Sequence, residues 1–156
     1  MGTPFSDVFE MFRVVCTDYK LDSIKKIDEE AFYTILKSIM LTGLPQFDCL
    51  KSLAYVSQEE IIDGEAVTRY YFVEILDTDE IMIISKITAE TWFRGKILDT
   101  RAFQPFMSQR EFKKESVNEN LKRKEDYQKF LITDYMGDIR TYYNKHTSSL
   151  DFWGEL

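Results

Sequence analysis

Apolar residues recur at helical spacing along two stretches in the first third of the chain. The first follows Thr3-Pro4, where threonine can cap a helix and proline suits its first turn. Its apolar stripe is Phe5, Val8, Phe9, Phe12, Val15, Cys16 and Tyr19. The second follows Asp28, another capping residue, and its stripe is Phe32, Ile35, Leu36, Ile39 and Met40. Gly43, which can adopt the left-handed conformation, and Pro45 are predicted to end this second helix.

The pattern changes between Leu53 and Phe72, where β-branched and aromatic residues flank Asp63-Gly64. This dipeptide suits the positive φ angles of a tight hairpin turn, so the stretch predicts a β-hairpin at about residues 53–72. Two strands have only one face to bury, and the hairpin must therefore lie on the helices or pair with another copy of the protein. Its exposed edge is a candidate assembly surface.

Two further helices are predicted in the second half of the chain. Asp77-Thr78-Asp79-Glu80 supplies caps for a helix that is apolar around most of its circumference, through Ile81, Met82, Ile83, Ile84, Ile87, Trp92, Phe93, Ile97 and Leu98. Such a helix should lie at the centre of the domain, with Gly95 as a close-contact point or a weak point. Gln104-Pro105 is predicted to end it. The capping box Ser108–Glu111 then predicts a long final helix that runs to about Tyr143.

The predicted final helix has a charged first half, typical of a solvated face or a polar subunit contact, and an aromatic second half. The second half should pack through Tyr127, Phe130, Leu131, Tyr135, Ile139, Tyr142 and Tyr143. Residues 147–156 are predicted to form a flexible C-terminal tail, in which Leu150, Phe152 and Trp153 are candidate assembly contacts. The predicted class is mainly α, a helical bundle of about four helices with a long C-terminal helix and one β-hairpin, in a single domain over residues 1–146.

Composition adds that the charge of the chain is local. The formal net charge is −7, and the stretch from Leu53 to Glu80 holds eight acids against one arginine, so the rest of the chain sums to zero. An acidic protein lacks the general attraction to phosphate that nucleic-acid-binding proteins use. The acids of the hairpin serve either solubility and edge protection or a surface past which DNA can slide; the candidates are Glu59, Glu60, Asp63 and Glu65.

Candidate chemistry is sparse. No phosphate-binding loop, paired-cysteine motif or nucleophile elbow is present, and His146 lies in a polar stretch where a solvated imidazole is expected. Cys16 and Cys49 are expected to be reduced thiols, and the acids from Asp77 to Glu80 favour helix capping over a metal site. No apolar run approaches the roughly 20 residues that cross a bilayer, and no leader is expected. The sequence predicts a non-enzymatic protein with no catalytic, cofactor-binding or metal-binding residues.

Five short segments in their order resemble the head-to-tail connector or adaptor proteins of tailed bacteriophages. The segments are Pro4-Phe5-Ser6-Asp7-Val8-Phe9, Asp18-Tyr19-Lys20-Leu21, Gly43-Leu44-Pro45-Gln46-Phe47, Cys49-Leu50-Lys51-Ser52-Leu53 and Arg110-Glu111-Phe112-Lys113. They are packing and capping features spread over most of the chain, and none is a mechanistic signature. The resemblance therefore transfers no functional residue.

The resemblance implies a homo-oligomeric ring, commonly of twelve subunits, at the head-tail junction of a virion made in the host cytoplasm. Such a ring docks below the portal, contacts tail or other neck proteins and lengthens the channel through which DNA passes without specific binding. No membrane is involved. The alternative interpretation is a small cytosolic oligomeric binding or regulatory protein of phage or host. An enzyme that uses carboxylates is the least favoured, because no paired acid and base residues are evident.

Overall fold

A computed structural model of the chain describes residues 2–107 and 114–147. It confirms a mainly helical fold with a long C-terminal helix and one antiparallel hairpin. The elements in chain order are α1 (Phe5–Val15), α2 (Tyr19–Ile27), α3 (Glu29–Gly43), a short 3₁₀ helix (Leu44–Gln46), β1 (Tyr55–Ile62), β2 (Glu65–Phe72), α4 (Thr78–Met107) and α5 (Lys114–Thr147).

Helix α2 is the element that the hydrophobic pattern did not separate. The prediction of one stripe from Phe5 to Tyr19 is wrong, because α1 ends at Val15 and Cys16 is extended, with φ −129° and ψ 104°. The Asp18 carboxylate accepts a hydrogen bond from the Leu21 backbone N–H at 3.3 Å. Aspartate at this position starts a new helix by satisfying one of its free N–H groups, and the chain therefore changes direction here.

Helix α3 begins after Asp28 and ends at Gly43, as predicted, but the backbone conformation at its end differs from the prediction. The Asp28 carboxylate accepts a hydrogen bond from the Ala31 backbone N–H at 2.9 Å, which confirms the predicted cap. Gly43 is right-handed, with φ −82° and ψ −29°, and the chain continues into the 3₁₀ helix. A Cβ atom at Gly43 would lie 2.7 Å from the Thr91 hydroxyl and 2.8 Å from Ile87 Cγ2. Glycine is needed here because α3 passes close to α4.

Helix α4 is the central helix of the described fold, packed against α1, α3 and α5. Ile83, Ile84 and Ile87 are buried almost completely, which confirms the predicted core helix. The prediction is wrong for Leu98, which is 58% exposed, whereas the adjacent Ile97 is buried. The C-terminal half of α4 therefore has one face exposed to solvent.

Helices α4 and α5 run antiparallel. Ion pairs join them at two levels, where Lys86 Nζ lies 2.6 Å from the Asp138 carboxylate and Arg101 contacts Glu125. Helix α4 continues to Met107, so the predicted end at Gln104-Pro105 is wrong. Pro105 removes the backbone donor that would bond the Arg101 carbonyl, and α4 ends two residues later, at Met107. The predicted capping box Ser108–Glu111 lies outside the described residues.

Helix α5 runs to Thr147, four residues beyond the predicted end at Tyr143. Its buried side chains are Leu131, Tyr135, Ile139 and Tyr142. The prediction that its whole aromatic half packs is wrong for Tyr127, which is 42% exposed, and for Phe130, which is 61% exposed. Both side chains flank the buried stripe because the face of α5 that contacts α4 is narrower than the aromatic pattern.

Candidate assembly interface

The hairpin closes through the predicted turn. Asp63 has φ 53° and Gly64 has φ 86°, and two successive positive φ values define the turn whose twist matches that of paired strands. Pairing then runs in register from Ile62 opposite Glu65 to Tyr55 opposite Phe72. The predicted hairpin and its turn are confirmed.

The base of the hairpin rests on the start of α1. The Phe5 ring lies 4.6 Å from the Phe72 ring and 5.4 Å from the Tyr55 ring, measured between ring centroids. The Phe72 backbone N–H donates to the Thr3 carbonyl at 2.8 Å, so the segment before α1 covers the outer edge of β2 at its base. Thr3 does not cap α1, because its hydroxyl accepts a hydrogen bond from the Leu76 N–H at 2.7 Å instead.

The outer edge of β1 is open. In a hairpin with a two-residue turn the residues that flank the turn form a hydrogen-bonded pair, and the bonded pairs alternate from there. From the register, the β1 residues that direct their backbone N–H and C=O groups away from β2 are Ile61, Glu59, Ser57 and Tyr55. Among the described elements β1 lies beside β2 alone. A strand of eight residues therefore presents an unpaired edge.

Acidic and apolar side chains share the exposed part of the hairpin. Glu59, Asp63 and Glu65 are exposed, and Ile61 beside them is 82% exposed. Glu60 departs from the expectation that all four acids face solvent, since it is half-buried and accepts a hydrogen bond from the Tyr71 hydroxyl. That bond from Tyr71 to a carboxylate, together with burial, raises the pKa of Tyr71.

A groove of about 280 Å³ separates β2 from α3 and the start of α1. Lys37 Nζ lies 3.8 Å above the centre of the Tyr70 ring, and the Arg69 guanidinium lies 4.6 Å above the Tyr33 ring. Arg69 also pairs with the Glu30 carboxylate at 3.1 Å. Cations on aromatic faces are attracted by the ring quadrupole. These contacts hold the hairpin at a defined angle to α3.

A buried carboxylate ties the base of the hairpin to the helices. Glu80 is fully buried, and it accepts a hydrogen bond from the Asp77 N–H at 2.8 Å while the Asp77 carboxylate accepts one from the Glu80 N–H at 2.9 Å. This reciprocal pair is a capping box at the start of α4, as the acid cluster predicts. Glu80 also accepts hydrogen bonds from Lys51 Nζ and from the Tyr142 hydroxyl, both at 2.7 Å.

The pKa shifts in the Glu80 cluster favour a role in stabilising the fold over a role in catalysis. Burial alone would raise the pKa of Glu80, but hydrogen bonds from Lys51, Tyr142 and the Asp77 backbone outweigh it and hold that pKa below its usual range. Burial, assisted by the Glu80 carboxylate, raises the pKa of Tyr142. The Cys49 sulfur lies 3.6 Å from the Glu80 carboxylate and 3.6 Å from the Tyr142 hydroxyl. Burial raises the pKa of the Cys49 thiol as well. Cys49 is therefore a poor nucleophile at neutral pH.

Sequence reasoning identified only part of this cluster. The capping box is visible because its two acids lie three residues apart, whereas Lys51 and Tyr142 come from distant segments with no local signal. His146 was expected to be solvated, but it lies within α5, is half-buried and has Nδ1 2.8 Å from the Tyr142 carbonyl oxygen. The candidate tail residues Leu150, Phe152 and Trp153 lie outside the described residues.

The described ranges, 2–107 and 114–147, contain neither a metal-ion cluster nor a membrane-spanning helix. No group of three histidine, cysteine or acidic side chains there is arranged to hold a metal ion. No helix in the same ranges has the length and apolar character to cross a membrane.

The hairpin thus has a fixed base, an open strand edge, and acidic and apolar side chains at its exposed end. This arrangement can bind another polypeptide through backbone hydrogen bonds and apolar contacts. Comparison with known proteins found no matching family model, no matching curated protein and no matching solved structure.

Proposed function

We propose that this protein is a non-enzymatic structural subunit that assembles into a homo-oligomeric ring. We propose as its setting the head-to-tail connector of a tailed phage, where the ring bridges portal and tail and lengthens the DNA channel. The observation that carries the proposal is the open edge of β1, which spans Tyr55–Ile62. Folded proteins rarely leave a long strand edge uncovered, because it can pair with another chain.

Exposed apolar side chains on the same hairpin support an interface. Ile61, Ile62, Val56 and Tyr55 are all exposed, although a hairpin that served only as a solvated wall would need none of them. Backbone groups along the edge would supply hydrogen bonds, and these side chains would supply apolar area. Both are the ingredients of recognition by strand addition.

The acids of the hairpin favour one symmetry of contact over another. Two β1 edges brought face to face would place Glu59 and its acidic neighbours near the same acids of the other copy, and like charges in close proximity repel. The edge of one copy therefore pairs better with a different surface of the next copy. Contacts of this heterologous kind generate rings when the rotation between copies closes.

The rigid base also supports an assembly role. The hairpin is held in place without a partner by three sets of contacts within the chain. These are the Phe5 and Phe72 rings, the cation–aromatic contacts of Lys37 and Arg69, and the Glu80 cluster. An interface that is already ordered loses less entropy on binding.

The test is sedimentation velocity and negative-stain electron microscopy of the purified protein, alone and with a portal protein. A ring is expected, and it should bind the portal end-on. A ring that ignores the portal would remove the connector setting and favour the cytosolic alternative. A monomer under both conditions would contradict the assembly proposal itself.

A matched pair of variants locates the contact. Ser57 directs its N–H to the open edge of β1, and Thr68 directs its N–H to the opposite edge of the hairpin, away from β1. Ser57→Pro removes one donor and disrupts strand addition at the open edge while it leaves the β1–β2 hydrogen bonds in place. We expect Ser57→Pro to abolish the ring and Thr68→Pro to retain it. Equal assembly of the two variants would exclude the β1 edge as the interface.

A further inference from the structure

A second exposed surface lies where the α1–α2 junction meets α4 and α5. It is an open groove of about 660 Å³, called here the aromatic groove, and its lining includes Asp18, Trp92, Phe93, Lys96, Lys124 and Tyr127. Helix α5 leads from this groove to the base of the hairpin, so the groove and the hairpin are separate surfaces.

The wall of the aromatic groove contains the rings of Phe93 and Tyr127, and Phe130 extends this row of rings beyond the groove. Phe93 and Tyr127 meet edge to face with centroids 5.0 Å apart, and Phe130 stacks on Tyr127 at 6.1 Å. Tyr127 is still 42% exposed and Phe130 61% exposed in spite of these contacts. Adjacent aromatic rings left in solvent mark surfaces that a partner covers, since large aromatic side chains dominate interface energies.

The groove also carries positive charge. Lys96 Nζ lies 4.3 Å from the centre of the Trp92 ring and 3.8 Å from the Asp18 carboxylate. Lys124 Nζ donates to the Thr100 hydroxyl at 2.9 Å, which leaves its charge without compensation from that partner. The ligand that suits this groove therefore combines aromatic side chains with acids.

We infer that the aromatic groove binds residues 148–156 of a second copy of the chain. This segment contains two acids, Asp151 and Glu155, and no basic residue, together with the apolar side chains of Leu150, Phe152, Trp153 and Leu156. Its aromatic rings match Phe93 and Tyr127 in the wall, and its acids match Lys124, since Asp18 already pairs with Lys96. The inference extends the proposed assembly function and gives it a second contact.

Distance excludes the groove of the same copy. Tyr127 and Thr147 are 20 residues apart in α5, which corresponds to about 30 Å along the helix axis. Phe152 follows Thr147 by five residues, and a fully extended chain of that length spans at most about 18 Å. Trp153 follows Thr147 by six residues, or at most about 22 Å, so the Cα atoms of both residues fall short of Tyr127 in their own chain, whereas those of a neighbour can reach it.

A nearer apolar patch is a poorer site for the same segment. Leu50, Val73 and Ile75 are exposed around the base of the hairpin, close to the end of α5. The acids around this patch are Asp48, Glu74, Asp77 and Asp79, and they outnumber the two lysines there, Lys51 and Lys145, which pair with Asp77 and Asp79. They would repel Asp151 and Glu155, so charge directs the segment to the aromatic groove rather than to the patch.

The consequence is a head-to-tail contact, because the segment follows the C-terminal end of α5 whereas Tyr127 of the groove lies 20 residues before that end. Such a contact is heterologous, and in the absence of the β1 contact it links copies into open chains rather than a ring. The β1 edge and the aromatic groove then form two different contacts between copies, and each can be disabled separately.

The experiment mixes two full-length variants, both in the Ser57→Pro background that removes the β1 contact. One variant carries Lys124→Glu and Tyr127→Ala, so its groove is disabled and its segment is intact. The other carries Phe152→Ala and Trp153→Ala, so its segment is disabled and its groove is intact. We expect each variant to be monomeric alone and the mixture to form a one-to-one dimer in sedimentation velocity.

The matched control places the same two kinds of change elsewhere on α5. Lys129→Glu and Met136→Ala alter exposed side chains outside the groove, and this variant should self-associate as the Ser57→Pro parent does. A mixture that stays monomeric, although circular dichroism shows both variants folded, would overturn the inference. That failure is distinct from failure of the β1 proposal, which Ser57→Pro and Thr68→Pro test in the otherwise unchanged chain.

Discussion

The hairpin and helix α4 use isoleucine in opposite ways. Ile83, Ile84 and Ile87 of α4 are buried almost completely among three other helices, whereas Ile61 of the hairpin is almost fully exposed. Buried apolar area supplies most of the favourable free energy of folding, so α4 stabilises the monomer and the tip of the hairpin adds little to it. The apolar surface that the hairpin leaves uncovered is available to a second chain.

The largest expected effect tests this contrast with the same substitution at two sites. Ile84→Ala should lower the free energy of unfolding by about 3 kcal/mol, since it removes buried atoms and leaves a cavity. Ile61→Ala should change it by less than about 0.5 kcal/mol in the monomer. Urea unfolding at low protein concentration measures both values. A large effect of Ile61→Ala under these conditions would mean that the tip packs within the monomer.

The next effect concerns the Glu80 cluster, which joins the two regions. Glu80→Gln should destabilise the protein by about 2 kcal/mol at neutral pH, because it removes charge-assisted hydrogen bonds to Lys51 and Tyr142. Asp79→Asn is the matched control, since Asp79 pairs with Lys145 on the surface, and this change should have little effect. Equal losses of stability in the two variants would show that the buried position of the Glu80 carboxylate adds nothing to the free energy of unfolding.

The same variant has a defined pH dependence. The folded pKa of Glu80 lies below its usual range, so the stabilisation from its charge is present above the unfolded pKa of about 4.3 and is lost as the pH falls through the folded pKa. The stability difference between the wild type and Glu80→Gln should be constant from about pH 5 to 8 and should shrink below about pH 4. A difference that grows with acidity would contradict the direction of this pKa shift.

The contrast also explains what the sequence could predict. The Asp28 cap, the Asp63-Gly64 turn and the capping box of α4 are local, since the partners lie within three residues of one another. The Glu80–Tyr142 hydrogen bond joins residues 62 positions apart, and no local pattern encodes it. The apolar pattern does not show where α1 ends. It continues through Cys16 to Tyr19, although the helical backbone stops at Val15.

The candidate site was predictable only in outline. The pattern indicated a hairpin with an exposed edge and named its acids, but it did not show that Thr3 lies against Phe72 and covers the base of the β2 edge while the β1 edge stays open along its length. The aromatic groove was missed altogether. Tyr127 belongs to a stripe whose spacing is typical of a buried face. Its exposure depends on how α4 packs against α5, which the sequence pattern does not show.

A smaller effect, of opposite sign in the two regions, is expected at two glycines. Gly64 has φ 86°, which side chains rarely adopt, so Gly64→Ala should destabilise the hairpin by about 1 kcal/mol. Gly95 lies in α4, where a Cβ atom would meet no neighbour within 4 Å, so Gly95→Ala should stabilise the protein by about 0.5 to 1 kcal/mol. Thermal unfolding of both variants gives the signs. Loss of stability in Gly95→Ala would mean that another copy packs closely there.

The smallest effect on folding, and the sharpest question about function, concerns the acids of the hairpin. Glu59→Lys with Glu65→Lys should change the free energy of unfolding by less than about 0.5 kcal/mol, since both side chains are exposed. Glu60 and Asp63 are left unchanged, because Glu60 binds the Tyr71 hydroxyl and Asp63 holds the turn with φ 53°.

If the hairpin lines a DNA channel, these two lysines reverse the local potential, which acts over roughly 8 Å at physiological salt, and attract the phosphate backbone. Genome release from particles that carry the variant should then be slower than from wild-type particles at low salt and should recover at high salt. Glu59→Gln with Glu65→Gln is the control, since it removes the acids without adding attraction and should slow release less. Equal release by the wild type and the lysine variant at both salt concentrations would exclude the channel wall and leave solubility as the role of these acids.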